Sequence, residues 1–180
     1  MQETGMAAEN KPIEQGFSSD GYITDQDCFS SVRYRTIPAC ENGCGFIAAF
    51  NMLRALGHEV AWDDVRQELD GMHRLRVPGP TLMKVMRKYL SLHVPEYKEA
   101  VGREEAISAA GNSVSGIFRY TEGHVPHFVS YVRQSDGCFR FFNVAEGLED
   151  CTMTMKRFGD EHLLHGTVIV LYVENGRMNG

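Results

Sequence analysis

The chain has 180 residues, 43% apolar, 10% aromatic and 23% charged, which is material for one globular domain and excludes a disordered, collagen-like or disulfide-miniprotein chain. Eighteen Lys and Arg against 24 Asp and Glu give a formal charge of −6, so there is no cation excess to neutralise a run of phosphates, and nucleic acid is not an expected partner. No stretch approaches the roughly 18 apolar residues of a membrane span, and the opening Met1-Gln2-Glu3-Thr4-Gly5 lacks the basic-then-apolar pattern of an export signal, so the expectation is a cytoplasmic protein without membrane insertion.

Residues 1–27 are polar and without period, with Gly5, Gly16, Ser18, Ser19 and Gly21 among them, and read as a loosely held extension. The domain proper is expected over 28–175, followed by a short tail, 176–180. Its first strong signal is Gly45-Phe46-Ile47-Ala48-Ala49-Phe50-Asn51-Met52-Leu53, apolar at helical spacing and closed by Gly57, which predicts a largely buried helix. A second helix follows over 62–69, where Asp63 and Asp64 suit its positive N-terminal end and Gly71 stops it. A third is expected over 81–92, introduced by Pro78-Gly79-Pro80 with Thr81 as its cap, and a short fourth over 103–110 ends at Gly111-Asn112. The period then becomes alternating, so 113–120, 125–133, 138–144 and 167–173 read as strands. Helices first and strands later predict an α+β fold, with N-terminal helices packed on a C-terminal antiparallel sheet.

Five cysteines, Cys28, Cys40, Cys44, Cys138 and Cys151, cannot all pair, so at least one thiol is left over, either as a small buried hydrophobe or as a nucleophile. Cys44 has the setting of a nucleophile. It stands between Gly43 and Gly45 at the mouth of the apolar helix, where unpaired N–H groups and the helix dipole favour a thiolate and can hold an oxyanion. The flanking glycines leave both sides of the sulfur bare, as an approaching substrate backbone would require.

Of the seven histidines, His58, His73, His93, His162 and His165 read as exposed or internally satisfied. His127 opens a strand after a loop containing Gly123 and Pro126, so its ring can project from the sheet edge; His124 is its neighbour and an alternative. If Ser135-Asp136-Gly137 form a hairpin loop closed by a left-handed glycine, position 127 lies opposite 145 and Asn143 opposite 129. Asn143 is then the diagonal neighbour of His127, near enough for its amide oxygen to hold the imidazole N–H.

With these pieces on one chain, the sequence resembles the papain-like cysteine peptidases of the bacteriocin-processing, double-glycine leader peptidase type and their stand-alone relatives. The matching residues are Gly43-Cys44-Gly45 with Met52 and Leu53 downstream, Gly79-Pro80-Thr81-Leu82, and Gly123-His124-Val125-Pro126-His127-Phe128-Val129. They continue with Asn143 where the family carries Asp or Asn, and Phe158 with Gly166-Thr167-Val168. The resemblance implies a papain-like fold, Cys44 as nucleophile, His127 as base and Asn143 as orienter. It further implies cleavage of an extended peptide after small residues such as Gly-Gly, through a thioester. The family also supplies an oxyanion-hole glutamine shortly before the nucleophile. None lies between Cys28 and Cys44; Asn42 or Arg35 would replace it, and Gln26 stands too far away in sequence to assign.

Transpeptidation or amide hydrolysis by the same triad, or a silent domain that only binds a peptide or leader segment, are the alternatives. The transporter segment fused to many such peptidases is not among these residues, which leaves room for a separate transporter or maturation partner. The charge of −6 points to tolerance of basic segments in the substrate. His124-x-x-His127, His162-x-x-His165 and Cys40-x-x-x-Cys44 each resemble part of a metal site, but none completes a zinc pattern, so neither metal nor cofactor is expected.

Overall fold

The computed structural model describes residues 12–74, 77–122, 125–144 and 148–176. Two 3-10 turns, Ile13–Gly16 and Gln26–Phe29, and a small hairpin of β1 (Arg33–Tyr34) and β2 (Ile37–Pro38) lead into α1 (Ala39–Asn42) and α2 (Cys44–Ala55). Next come α3 (Trp62–Met72), α4 (Met83–His93), β3 (Lys98–Val101), α5 (Arg103–Gly111), β4 (Ser113–Glu122) and β5 (Val125–Arg133). The chain closes with β6 (Phe139–Val144), β7 (Leu148–Met153), α6 (Met155–His162) and β8 (Ile169–Glu174). The fold is α+β, around a six-stranded antiparallel sheet in the order β3-β8-β4-β5-β6-β7.

Every residue of α2 from Cys44 to Leu53 is buried, as a helix with apolar residues all round demands. It lies on one face of the sheet, where Phe46, Ile47, Met52 and Leu53 share a core with Ile117, Phe128, Ile169 and Leu171. Strand alternation sends Phe118, Val129, Tyr131 and Val170 to the other face, against Ala106 and Ala110 of α5 and Phe158 of α6. Helices thus cover both faces, which explains why these strands are apolar on both sides.

Besides the two 3-10 turns, the β1–β2 hairpin and α1, three elements go beyond the sequence-based expectation. β3 is a short edge strand with Lys98 and Glu99 exposed, and β7 extends the sheet beyond β6. α6 is short and charged; it is capped by Thr154, whose hydroxyl accepts from the Arg157 N–H at 3.2 Å, and held by Phe158 stacked 3.9 Å from Phe141. α4 begins at Met83 with no side-chain cap; Thr81 has a tertiary partner instead, described below.

The hairpin between β5 and β6 matches its expected register, with Arg133 opposite Phe139 and Ser130 opposite Phe142. Gln134 N–H reaches the Cys138 carbonyl at 2.8 Å, Gly137 N–H the Gln134 carbonyl at 3.1 Å, and Gly137 has φ +83°.

A loosely held extension is not what residues 12–27 form. Ile23 is fully buried, and the Asn51 side chain takes its N–H and gives to its carbonyl, both at 2.8 Å, as a neighbouring strand would. Tyr22 stacks on Phe142 at 4.3 Å between the guanidinium groups of Arg54 and Arg140, and Arg140 pairs with Asp20 at 2.7 Å. Aromatic and cationic contacts, invisible to a periodicity argument, anchor a polar segment.

Candidate active site

Cys44 is the first residue of α2 and only 5% exposed. α1 runs into α2 through Gly43, which has helical dihedrals; its N–H bonds the Ala39 carbonyl at 2.7 Å, and its carbonyl receives the Ile47 N–H at 3.1 Å. The Cys40 carbonyl, which an unbroken helix would offer to Cys44, accepts from Gln26 Nε2 at 2.8 Å. The Cys44 N–H stands in the first turn of α2, where helix geometry leaves N–H groups without an intrahelical partner and an oxyanion hole can draw on them.

The two glycines answer to the protein's own packing, which corrects the expectation that they clear a path for substrate. A Cβ on Gly45 would lie 2.0 Å from Thr81 Oγ1, and one on Gly43 would lie 2.5 Å from the Ala39 carbonyl oxygen. Thr81 Oγ1 is also 2.7 Å from the Tyr34 hydroxyl. Burial pushes the Tyr34 phenol above its ordinary range; the Thr81 bond acts the other way, and charge at nearby Cys44 or Asp70 would add to the rise. Beside Cys44 there is therefore a neutral hydroxyl pair.

His127 lies opposite Tyr120 in the β4–β5 ladder, the two rings edge to face at 5.8 Å. Alternation groups it with Val129 and Tyr131, so Phe128 is the residue of this stretch that packs with α2. Its Nε2 is 2.9 Å from the main-chain oxygen of Asn143. A carbonyl can only accept, so Nε2 carries the proton and Nδ1 is the basic nitrogen.

Asn143 therefore meets His127 as the hairpin register predicts, but through its backbone and not its side chain. The cause is local: Asn143 has φ +59°, a left-handed conformation that asparagine tolerates better than most residues. Its Nδ2 donates instead to Gln26 Oε1 at 2.9 Å. Gln26 is the residue that sequence distance hid. It belongs to a 3-10 turn whose N-cap, Asp25, accepts from the Asp27 N–H at 2.9 Å, and that turn packs beside α1. One run of hydrogen bonds thus joins His127, Asn143, Gln26 and Cys40, one helical turn before Cys44.

Neither substitute oxyanion donor is placed for that task. Asn42 Nδ2 donates to the Tyr34 and Gly79 carbonyls at 2.9 and 3.1 Å; its unsatisfied atom is Oδ1, an acceptor that would repel an oxyanion. Arg35 gives its guanidinium to the Pro80 carbonyl and lines a separate groove along α4. His124 lies outside the described residues. Among the described residues no cysteine forms a disulfide, no cluster of His, Cys, Asp or Glu could hold a metal ion, and no helix is long and apolar enough to cross a membrane. Burial, reinforced by the Glu41 and Asp27 carboxylates, pushes the Cys40 thiol up, which sets Cys40 apart as a poor nucleophile. The sequence matches no protein-family model and no curated protein.

Proposed function

We propose that the chain is a papain-like thiol hydrolase, a peptidase that cuts an extended peptide after small residues. Cys44 attacks the scissile carbonyl, and His127 takes its proton through Nδ1 and later gives it to the leaving amine. The Asn143 carbonyl fixes the ring tautomer. The Cys44 N–H and the second hydrogen of Gln26 Nε2 hold the oxyanion, so Gln26 takes the part left vacant between Cys28 and Cys44.

What carries this reading is the run of hydrogen bonds from His127 through Asn143 and Gln26 to the turn before Cys44. His127, Asn143 and Gln26 come from distant parts of the sequence, and the bonds that link them end at Cys40, one helical turn before Cys44; buried polar groups need such partners. The competing reading, a domain that binds peptide without cutting it, draws on the 5% exposure of Cys44.

Alkylation separates the two. With limiting iodoacetamide at neutral pH, peptide mapping is expected to find the label on Cys44 well ahead of the other cysteines and to lose that preference in His127→Ala. A peptide aldehyde ending in Gly-Gly is expected to block the same label. Equal, slow labelling of all exposed thiols with no peptide turnover would establish the binding domain.

A further inference from the structure

A groove of about 890 Å³ runs between the end of α3, the 77–80 segment and α4. Its lining is basic although the chain is acidic overall: Arg35, Arg74, Lys84 and Lys88 border it, beside the half-exposed Val77 and Leu82. Among the described residues Arg74, Lys84 and Lys88 have no carboxylate partner. Elsewhere cations such as Arg66, Arg87, Arg103 and Arg157 are paired.

Arg35 adds an independent observation. It is 5% exposed, yet its Nε has no hydrogen-bond partner, a costly state for a buried charged donor. It also sits in a two-residue turn where Arg35 and Thr36 have φ +48° and +78°. Such a turn favours Asn-Gly; here a strained backbone holds a guanidinium at the groove wall.

We propose that this groove docks an acidic stretch of the peptide substrate. Its carboxylates meet Arg35, Lys84 and Lys88, and an apolar side chain rests on Val77 and Leu82. Lys84 and Lys88 are neighbours one turn apart on α4, a spacing that suits successive carboxylates on one chain better than a single small anion. The groove's 79–81 edge is tied to the start of α2, where the proposed catalytic site on which this inference rests begins: Asn42 holds the Gly79 carbonyl and Thr81 packs on Gly45 beside Cys44. A substrate running through both would place its acidic stretch away from the scissile bond. The net charge pointed to tolerance of basic segments, but the local field at the groove has the opposite sign.

The test uses the full chain carrying Cys44→Ala and two fluorescein-labelled synthetic peptides ending in Gly-Gly. One has a stretch of glutamates and leucines, and the other has lysines in place of the glutamates. Fluorescence anisotropy is expected to give at least about tenfold tighter binding of the acidic peptide. That advantage should shrink with added salt and disappear when Lys84→Glu and Lys88→Glu are combined; both lysines are exposed, so their reversal spares the fold. Equal binding of the two peptides, or an undiminished advantage in the double variant, would overturn the proposal. So would displacement of the acidic peptide by inorganic phosphate at matched ionic strength, which would make the groove a small-anion site. Charge-selective binding by a wild-type chain that neither turns over peptide nor alkylates at Cys44 would support the docking groove while removing the hydrolase.

Discussion

The two sides of the sheet hold the residues of the proposed site by different means. On the α2 side, backbone and small side chains interlock: Thr81 fills the space a side chain on Gly45 would need, and the Asn51 and Asn42 amides tie down the main chain at Ile23, Tyr34 and Gly79. Rings fill both sides: Phe29 and Phe46 meet Trp62 on the α2 side, and Phe158 packs against Phe118, Tyr120 and Phe141 on the α6 side. The proposed site takes Cys44 from the first core and His127, beside Tyr120, from the second. Cys44 is placed by the close packing of Thr81 on Gly45 and His127 by its bond to the Asn143 carbonyl, so the two should fail differently when altered.

The largest expected effect removes the chemistry itself. Cys44→Ala and His127→Ala should each lower turnover of a Gly-Gly peptide by at least about 10³-fold with an unchanged circular dichroism spectrum; wild-type turnover in either would end the catalytic assignment. Next comes the hydrogen-bonded side. Gln26→Ala should cost about 10²-fold in kcat with little change in KM, as loss of one oxyanion donor does. Asn143→Gly should retain more activity than Asn143→Ala, because glycine keeps the carbonyl on His127 at φ +59° while alanine adds strain of about 1 kcal/mol. Equal activity in these two variants would break the link between that backbone conformation and the ring.

On the packed side the readout is stability. Gly45→Ala puts a methyl 2.0 Å from Thr81 Oγ1 and should cost about 1–3 kcal/mol, measured as a lower midpoint in urea. The smallest effect is a pH dependence. Burial holds the His73 imidazole below its ordinary value of 6.5, with Nδ1 2.7 Å from the Leu69 carbonyl. The unfolded chain then takes up a proton below about pH 6.5 that folded His73 refuses, so stability falls as the solution is acidified through that window and recovers above it. Urea titrations should give a shallower pH slope for His73→Gln.

Much of the fold was legible because period and turn chemistry are local. The buried run from Gly45 and the Ser135-Asp136-Gly137 loop predicted α2 and the β5–β6 register, and with it the meeting of His127 and Asn143. What stayed hidden depends on backbone conformation or distant partners. No residue pattern announces that Asn143 turns left-handed and exchanges the roles of its carbonyl and amide. Nor does any pattern say that a polar stretch around Tyr22 is pinned by Arg54, Arg140 and Phe142. Gln26 was hidden for that same reason, since the segment carrying it is placed by contacts whose partners lie far along the chain. The glycines beside Cys44 were seen, but their cause was read as substrate access when Thr81 supplies it for Gly45 and the Ala39 carbonyl for Gly43.

The bonds that hold that first segment have a consequence in time. Gln26 and Asn143 are joined across 117 positions, and Arg140 and Asp20 across 120. Contacts this distant close long loops and form late, after the local helices have their turns. As the chain leaves the ribosome, the thiol emerges long before the imidazole, and the carbonyl that sets the ring's tautomer follows later still. A nascent chain holding α2 alone therefore has a cysteine without its proposed base, and the full set of polar partners exists only once β6 has been synthesised and docked.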